Sequence, residues 1–228
     1  MSATYVDEFT LPFTLNKMTS ALVVVDMQNA TGNPNMGLGK LLQNQGRFDS
    51  AQYRFDRIRD LIVPNTQKLL QAFRASGSTV VYVTYGAELP DCSDVPEHIR
   101  ELVRATNNIA GQPEHDIVDE LKPQADEPVL NKVTQGAFAS TGIDTLLKAK
   151  GITEIVVTGV STNNCVGMTS MEASDRGYRV VLAADATGTC SDEMQDAFLT
   201  SFRRLWGRVL NTGEIINELH GGSAQAAA

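Results

Sequence analysis

The chain has 228 residues, of which 42% are hydrophobic and 20% are charged, and its formal net charge is −8. This composition predicts one soluble globular domain, because the length suffices for a substantial core and no apolar run approaches the roughly 20 residues of a membrane helix. The negative charge argues against binding to nucleic acid or to an anionic membrane, since Lys and Arg carry both interactions. The expected partner is a small-molecule substrate.

The cysteines and the N-terminus predict a cytoplasmic protein. Cys92, Cys165 and Cys190 are an odd number, which disfavours a disulfide framework and favours free thiols. The N-terminus has no basic segment followed by a long apolar one, so it does not resemble a secretory signal. Residues 1–220 are predicted to form the single domain, and the low-complexity residues 221–228 to form a disordered tail.

Apolar, β-branched runs alternate with segments of helical periodicity along the chain. Strands are predicted at 21–25, 79–84, 128–130, 154–158 and 178–183, with an edge strand at 209–210. Helices are predicted at 59–75, 98–106, 142–150, 163–176, 191–205 and 214–219, and Gly77, Gly151 and Gly177 supply stop signals. This alternation predicts an α/β fold with a doubly wound, mostly parallel sheet of about six strands and helices on both faces.

The segment 30–56 does not fit this alternation. It is polar and rich in Gly and Asn, and it is too long for an ordinary connection between a strand and a helix. We expect it to act either as a lid or as a contact between subunits.

Three strand ends carry side chains with useful chemistry. Asp26 ends the first strand, Lys132 follows the third, and Cys165 follows the fourth. Each has an ordinary interpretation: the carboxylate could cap a turn, the lysine could be a solvated surface residue, and the thiol could be a small buried hydrophobe. Because the carboxyl ends of parallel strands meet at one edge of a sheet, the three together favour a functional site there.

Cys165 is predicted to lie in the first turn of a helix. Gly159 interrupts the preceding strand, and Thr162, Asn163 and Asn164 are good capping residues. Unpaired N–H groups and the positive end of the helix dipole stabilise a thiolate, so helix-start cysteines titrate between roughly 3.5 and 7.5. We therefore expect a lowered pKa for the Cys165 thiol and a nucleophilic role.

Three segments resemble the isochorismatase-like cysteine hydrolases over about residues 20–210. They are VVVDMQN, VLNKVTQGAF and VVTGVSTNNCVGMTSMEASDRGYRVVLAADA. The resemblance implies a three-layer sandwich and a catalytic triad of Asp26, Lys132 and Cys165. It also implies an oxyanion hole formed by the backbone N–H groups of Ser161 and Cys165, with a cis peptide bond between Val160 and Ser161. Relatives commonly form tetramers, so a homo-oligomer is expected, and no cofactor is implied.

The family resemblance also suggests the type of substrate. The cysteine favours an amide over the vinyl ether of true isochorismatases, and the motifs are similar to those of biuret, triuret, ureidoacrylate and N-carbamoylsarcosine hydrolases. The resemblance implies substrate contacts at Gln28, Asn29, Tyr85, Glu88, Phe138 and Trp206. Trp206 stands where biuret hydrolases have a glutamine, which weakens biuret as the substrate, and this tryptophan could equally be a core residue.

Several alternatives remain open. Nicotinamidases of this family add a metal site built from an Asp and two His, but no histidine lies between Asp26 and His98, and His98, His115 and His220 do not supply that pair, so no metal is expected. An amidase for a maleamate- or nicotinamide-type substrate, an isochorismatase and a non-catalytic flavodoxin-like binding protein are the remaining candidates. The glycines at 32, 37 and 39 do not form a phosphate-binding loop, and the segment 159–163 is not the G-x-S-x-G turn of serine hydrolases.

Overall fold

Six parallel strands form one sheet in a computed structural model that describes residue 9 and residues 11–222. The strands are β1 (Ser20–Val25), β2 (Thr79–Tyr85), β3 (Val129–Lys132), β4 (Glu154–Val160), β5 (Arg179–Gly188) and β6 (Arg208–Leu210). Their spatial order is β3-β2-β1-β4-β5-β6, and every neighbouring pair is parallel. The predicted α/β fold is confirmed, and the sheet is entirely rather than mostly parallel.

Ten α-helices connect and cover these strands within the described residues. They are α1 (Asn29–Gly32), α2 (Gly37–Asn44), α3 (Gln52–Arg57), α4 (Val63–Ser76), α5 (Glu97–Ala105), α6 (Ala137–Ser140), α7 (Ile143–Ala149), α8 (Gly167–Asp175), α9 (Asp192–Arg203) and α10 (Thr212–Leu219). Shorter 3-10 turns occur at Phe48–Ala51 and Asp119–Leu121, and π-helical turns occur at Ile58–Ile62 and Thr162–Val166. No helix in the described part of the chain is long and apolar enough to cross a membrane.

The two faces of the sheet bury different helices, as strand alternation requires. In β1, Leu22 and Val24 face a core that includes α4 and α10. Ala21 and Val23 face the opposite core, to which α6, α7, α8 and α9 contribute. Because both faces are covered, the strands read as continuous apolar runs in the sequence.

The segment after β1 contains more regular structure than its composition suggested. It folds into α1, α2, a 3-10 turn and α3, and the chain then runs through a π-helical turn into α4. The predicted helix at 59–75 therefore starts too late, because the helical region begins at residue 52. The predicted tail lies outside the described residues from residue 223 onward.

The order of the strands determines where a ligand can bind. From β1 the chain moves to β2 and β3 on one side, and it then returns to β4 on the other side of β1. Connections leave the carboxyl ends of β1 and β4 in opposite directions, which opens a crevice between them. Asp26 follows one of these strands, and Cys165 lies in the turn after the other.

Candidate active site

Asp26 is the first residue beyond β1 and is almost completely buried, with 2% of its surface exposed. Its φ of 53° lies in the left-handed region, which Asp adopts more readily than most residues. The backbone N–H of Asp26 donates to the carbonyl of Val83 at 2.8 Å, and its own carbonyl accepts the Thr31 hydroxyl at 2.7 Å. These two hydrogen bonds fix the backbone N–H and the carbonyl of Asp26 at the end of β1.

Lys132 reaches Asp26 from a strand that does not pair with β1. It is the last residue of β3, and its side chain passes the end of β2, where Nζ lies 4.2 Å from the centroid of the Tyr85 ring. Nζ then donates to Oδ2 of Asp26 at 3.0 Å, in a pair that is fully buried. A buried ammonium of this kind needs such a partner, because an unpaired one would be strongly destabilising.

Cys165 lies in the π-helical turn between β4 and α8, with 8% of its surface exposed. The peptide bond between Val160 and Ser161 is cis, as the family resemblance implied. Cys165 thus precedes α8 rather than lying within a regular first turn, and the kink at Asn164 separates it from ideal helix geometry.

The protonation of the thiol differs from the sequence-based expectation. Burial, together with the neighbouring Asp26 carboxylate, raises the pKa of Cys165 to about 12, although Lys132 opposes the shift. The predicted lowering of this pKa was wrong, because desolvation and a neighbouring negative charge outweigh any effect of the helix start. The thiol is therefore neutral at rest.

The Asp26 carboxyl is suited to accept the thiol proton. Burial raises its pKa, while Lys132 and the contact with the Cys165 thiol lower it. Its second oxygen, Oδ1, is buried and has no hydrogen-bond partner of good geometry among the described residues. A raised pKa makes the Asp26 carboxylate a stronger base, and a stronger base favours transfer of the proton from the Cys165 thiol.

A cavity of about 230 Å³ opens onto Cys165 and Asp26. Its apolar wall includes Leu38 from α2 together with three residues of α5, Ile99, Leu102 and Val103. Its polar wall includes Thr31, Arg54, Tyr85, Ser161 and Asn164. The volume is below the usual range for drug-sized ligands, so the cavity fits a small substrate.

Of the six predicted substrate contacts, the cavity wall includes Tyr85. This tyrosine is 5% exposed, burial raises its pKa, and its hydroxyl has no hydrogen-bond partner in the described part of the chain. Gln28 is buried behind it, where its amide donates to the carbonyl of His115 at 2.8 Å and its oxygen accepts the N–H of Tyr85 at 2.8 Å. Gln28 therefore positions Tyr85 and does not line the cavity.

The other four predicted contacts do not line this cavity. Asn29 donates to the carbonyl of Pro113 at 3.0 Å, and Glu88 is exposed. Phe138 belongs to the core, 5.8 Å from the Tyr178 ring, and Trp206 packs at the edge of the same core. The geometry therefore gives no support to substrate contacts at Asn29, Glu88, Phe138 and Trp206.

Arg54 is a cavity residue that the sequence did not reveal. It lies on α3 with 8% of its surface exposed, and burial lowers its pKa. Nη1 donates to Oγ of Ser161 at 2.7 Å, while Nε and Nη2 donate to the carbonyl of Thr31 at 3.3 and 3.2 Å. Arg57 and Arg59 follow closely in the sequence, and nothing in the pattern distinguishes Arg54 from them.

The histidines lie in three separate places. Nδ1 of His115 is 3.1 Å from Oδ1 of Asn108, Nε2 of His98 is 3.4 Å from Nε2 of Gln135, and His220 is the residue that follows α10. Within the described residues, no group of three or more His, Cys, Asp or Glu side chains is arranged to hold a metal ion.

The site combines a carboxylate after β1, a lysine at the end of β3 and a cysteine after β4 of a doubly wound sheet. This combination is typical of a cysteine hydrolase. The isochorismatase domain model matches residues 20–214, and the chain therefore belongs to the isochorismatase family. This confirms the resemblance seen in the sequence motifs.

Curated relatives and solved structures agree with this assignment. The chain is 29% identical to the ureidoacrylate amidohydrolases RutB of Serratia proteamaculans, over 91% of this chain and 86% of that protein, and of Agrobacterium fabrum, over 95% of each. A cysteine hydrolase from Pseudomonas syringae superposes with a TM-score of 0.76 at 25% identity, covering 93% of this chain and 97% of the other. N-carbamoylsarcosine amidase from Thermoplasma acidophilum superposes with a TM-score of 0.65 at 29% identity, covering 87% of this chain and 99% of the other.

Proposed function

We propose that this protein is a cysteine amidohydrolase that cleaves a C–N bond of a small ureide or carbamoyl amide through a thioester intermediate. The observation that carries the proposal is the convergence of the Cys165 thiol with the buried Asp26–Lys132 pair at one cavity. Relatives named for ureidoacrylate and N-carbamoylsarcosine support the substrate class.

The first half-reaction forms the thioester. Asp26 accepts the thiol proton as the Cys165 sulfur attacks the carbonyl carbon, because a thiol with a pKa of about 12 carries little thiolate at neutral pH. The backbone N–H groups of Ser161 and Cys165 stabilise the oxyanion, with each such donor worth roughly 3 to 4 kcal/mol. Protonated Asp26 then delivers its proton to the departing nitrogen, and the C–N bond breaks.

The second half-reaction hydrolyses the thioester. Asp26 takes a proton from water, the oxygen attacks the thioester carbon, and the sulfur leaves and recovers a proton from Asp26. Lys132 favours the ionised form of the carboxyl, since its charge lowers the pKa that burial raises. The products are an acid or carbamic acid and an amine or ammonia.

The test is an ammonia-release screen with the wild type and Cys165→Ala over ureidoacrylate, N-carbamoylsarcosine, biuret, triuret, maleamate and nicotinamide. We expect turnover of at least one ureide and a loss of at least about 10³-fold in Cys165→Ala, because removal of the nucleophile leaves only binding and oxyanion stabilisation. Intact-mass spectrometry of the wild type during turnover should detect an acyl adduct on Cys165.

The matched control is Cys92→Ala. Cys92 is another buried free cysteine, and it packs in a satellite cluster of the core. This variant should retain activity. Turnover of a ureide by Cys165→Ala at more than a few per cent of the wild-type rate would reject the covalent mechanism.

A further inference from the structure

Arg54 is a buried cation without a carboxylate partner. Among the described residues, no Asp or Glu oxygen lies within 4.0 Å of its guanidinium, although more than nine-tenths of its surface is buried. By contrast, Arg208 is more exposed and is paired with the carboxylate of Glu218. The Asp26 carboxyl is near enough to favour the charged guanidinium but forms no ion pair with it, so Arg54 can still bind an anionic ligand.

The charges around the cavity lead to the same conclusion. Asp26 is the acidic residue on the cavity wall, and its Oδ2 already binds Lys132. Two cationic side chains, Lys132 and Arg54, thus face one carboxyl group, Asp26. An anionic ligand would balance the additional cation.

The donors of Arg54 are incompletely used. A guanidinium has about five N–H groups, of which one on Nε, one on Nη1 and one on Nη2 bind Thr31 and Ser161. One N–H therefore remains on each terminal nitrogen. These free donors can bind the oxygens of a carboxylate.

We propose that Arg54 binds the carboxylate of the substrate, so that the preferred substrate is a small ureide or carbamoyl amide that carries a carboxylate. Ser161 connects the two ends of this ligand, because its hydroxyl accepts from Arg54 while its backbone N–H is the proposed oxyanion donor. The carboxylate and the scissile carbonyl would thus lie on either side of one residue. The apolar wall from α2 and α5 would contact the short chain between them.

This inference rests on the proposed amidohydrolase function and ranks the candidate substrates. Ureidoacrylate and N-carbamoylsarcosine carry a carboxylate, whereas biuret and triuret are neutral. The wild type is expected to favour the acids. A purely structural role for Arg54 in fixing Thr31 and Ser161 would give no such preference.

The decisive experiment measures binding by calorimetry to the full chain carrying Cys165→Ala, which is not expected to turn the ligand over. The probes are 3-ureidopropionate and propylurea, which share the ureide and differ in the carboxylate. We expect the acid to bind at least about 30-fold more tightly, the equivalent of a charge-assisted pair of hydrogen bonds. In Cys165→Ala combined with Arg54→Met, this preference should fall to about threefold or less, because the two donors are gone.

Arg54→Lys is the matched variant, because it keeps the charge and loses the two-pronged geometry. It should retain an intermediate preference for the acid, and thermal unfolding should check that each variant folds. Equal binding of the two probes, absence of binding of the acid, or a preference that survives Arg54→Met would overturn the carboxylate site. If Arg54→Met fails to fold, the probe comparison in Cys165→Ala and Arg54→Lys still decides.

The two proposals can fail separately. If the wild type releases ammonia from no amide, the hydrolase function fails while calorimetry still reports on the carboxylate site. If the wild type hydrolyses neutral and acidic ureides equally well and the two probes bind equally, the carboxylate site fails while the hydrolase stands.

Discussion

Two opposing influences determine the pKa of the Asp26 carboxyl. Burial raises the pKa of its carboxyl, and the Lys132 ammonium 3.0 Å away lowers it. The net direction is upward, so burial dominates. The raised pKa makes the Asp26 carboxylate a stronger base than an exposed Asp.

The raised pKa predicts the acid limb of the pH profile. Because the proton acceptor must be ionised, kcat/KM should fall as the pH drops through the pKa of Asp26, above the value of about 4 that is usual for Asp. The measurement is kcat/KM against pH at constant ionic strength, with circular dichroism to verify folding at each pH. In Lys132→Met, the acid-side decrease in kcat/KM of any residual activity should occur at a higher pH, since the cation that favours the carboxylate is gone. A profile that stays flat down to a pH of about 4 would contradict this account.

The positions of the three reactive residues could be predicted from the sequence because each lies at or just beyond the carboxyl end of a strand. Asp26, Lys132 and Cys165 needed only the rule that the carboxyl ends of parallel strands share an edge. The pKa of Cys165 could not be predicted in this way, because it depends on packing by remote segments. Arg54 was missed for the same reason: its burial results from α3 folding against the loops after β1 and β4.

At the scale of elements, the junction between β4 and its π-helical turn determines where the nucleophile lies. Gly159 does not end the strand, as the sequence suggested, but pairs with Val25 and with Thr187. Its φ is +109°, and a Cβ built on it would lie 1.9 Å from the carbonyl oxygen of Val25. Only glycine allows β4 to follow β1 this closely before the chain turns toward Cys165.

Gly159→Ala should therefore strongly destabilise the protein. We expect a loss of more than about 3 kcal/mol in the free energy of unfolding, since backbone strain adds to a backbone clash. Urea unfolding measures the change. The control is Gly77→Ala, where φ is +70° but a Cβ would have no atom within 4 Å. That variant should lose only about 1 kcal/mol, and equal losses in the two variants would show that the clash is unimportant.

The strands were easier to predict than the helices because burial on both faces leaves long apolar runs. β1 and β2 match their predicted ranges within one residue at each end. β5 continues to Gly188, beyond the predicted end at 183, because its pairing with β4 shifts register between Val157 and Gly159. α3 was missed because a six-residue helix shows too little periodicity to be recognised.

At the scale of the whole molecule, the pairing of strands follows from contacts that are distant in sequence. β1 lies between β2 and β4, and Ser20 pairs with Glu154 although more than half of the chain separates them. Local patterns therefore carry no information about this neighbour. The class of fold could be predicted, but the order of the strands could not be read from periodicity alone. The family resemblance supplied the expectation of a three-layer sandwich.

A buried carboxylate on α10 links this helix to two other parts of the fold. Both oxygens of Glu218 on α10 accept from Arg208 of β6, at 2.6 and 2.8 Å, and Oε2 also accepts the N–H of Leu15 at 3.2 Å. The Glu218 side chain is 3% exposed. One side chain thus ties the last helix to the edge strand and to the segment before β1.

Glu218→Gln should destabilise the whole fold without impairing the site. Removing one charge of a buried pair leaves Arg208 without its acid, and we expect a loss of about 3 kcal/mol in the free energy of unfolding, measured with urea. Activity per folded molecule should not change, because Glu218 lies outside the cavity wall. The control is Arg59→Ala, which breaks an exposed ion pair with Asp60 and should leave stability unchanged. Equal stability of Glu218→Gln and wild type would show that the Glu218–Arg208 pair does not contribute to fixing α10.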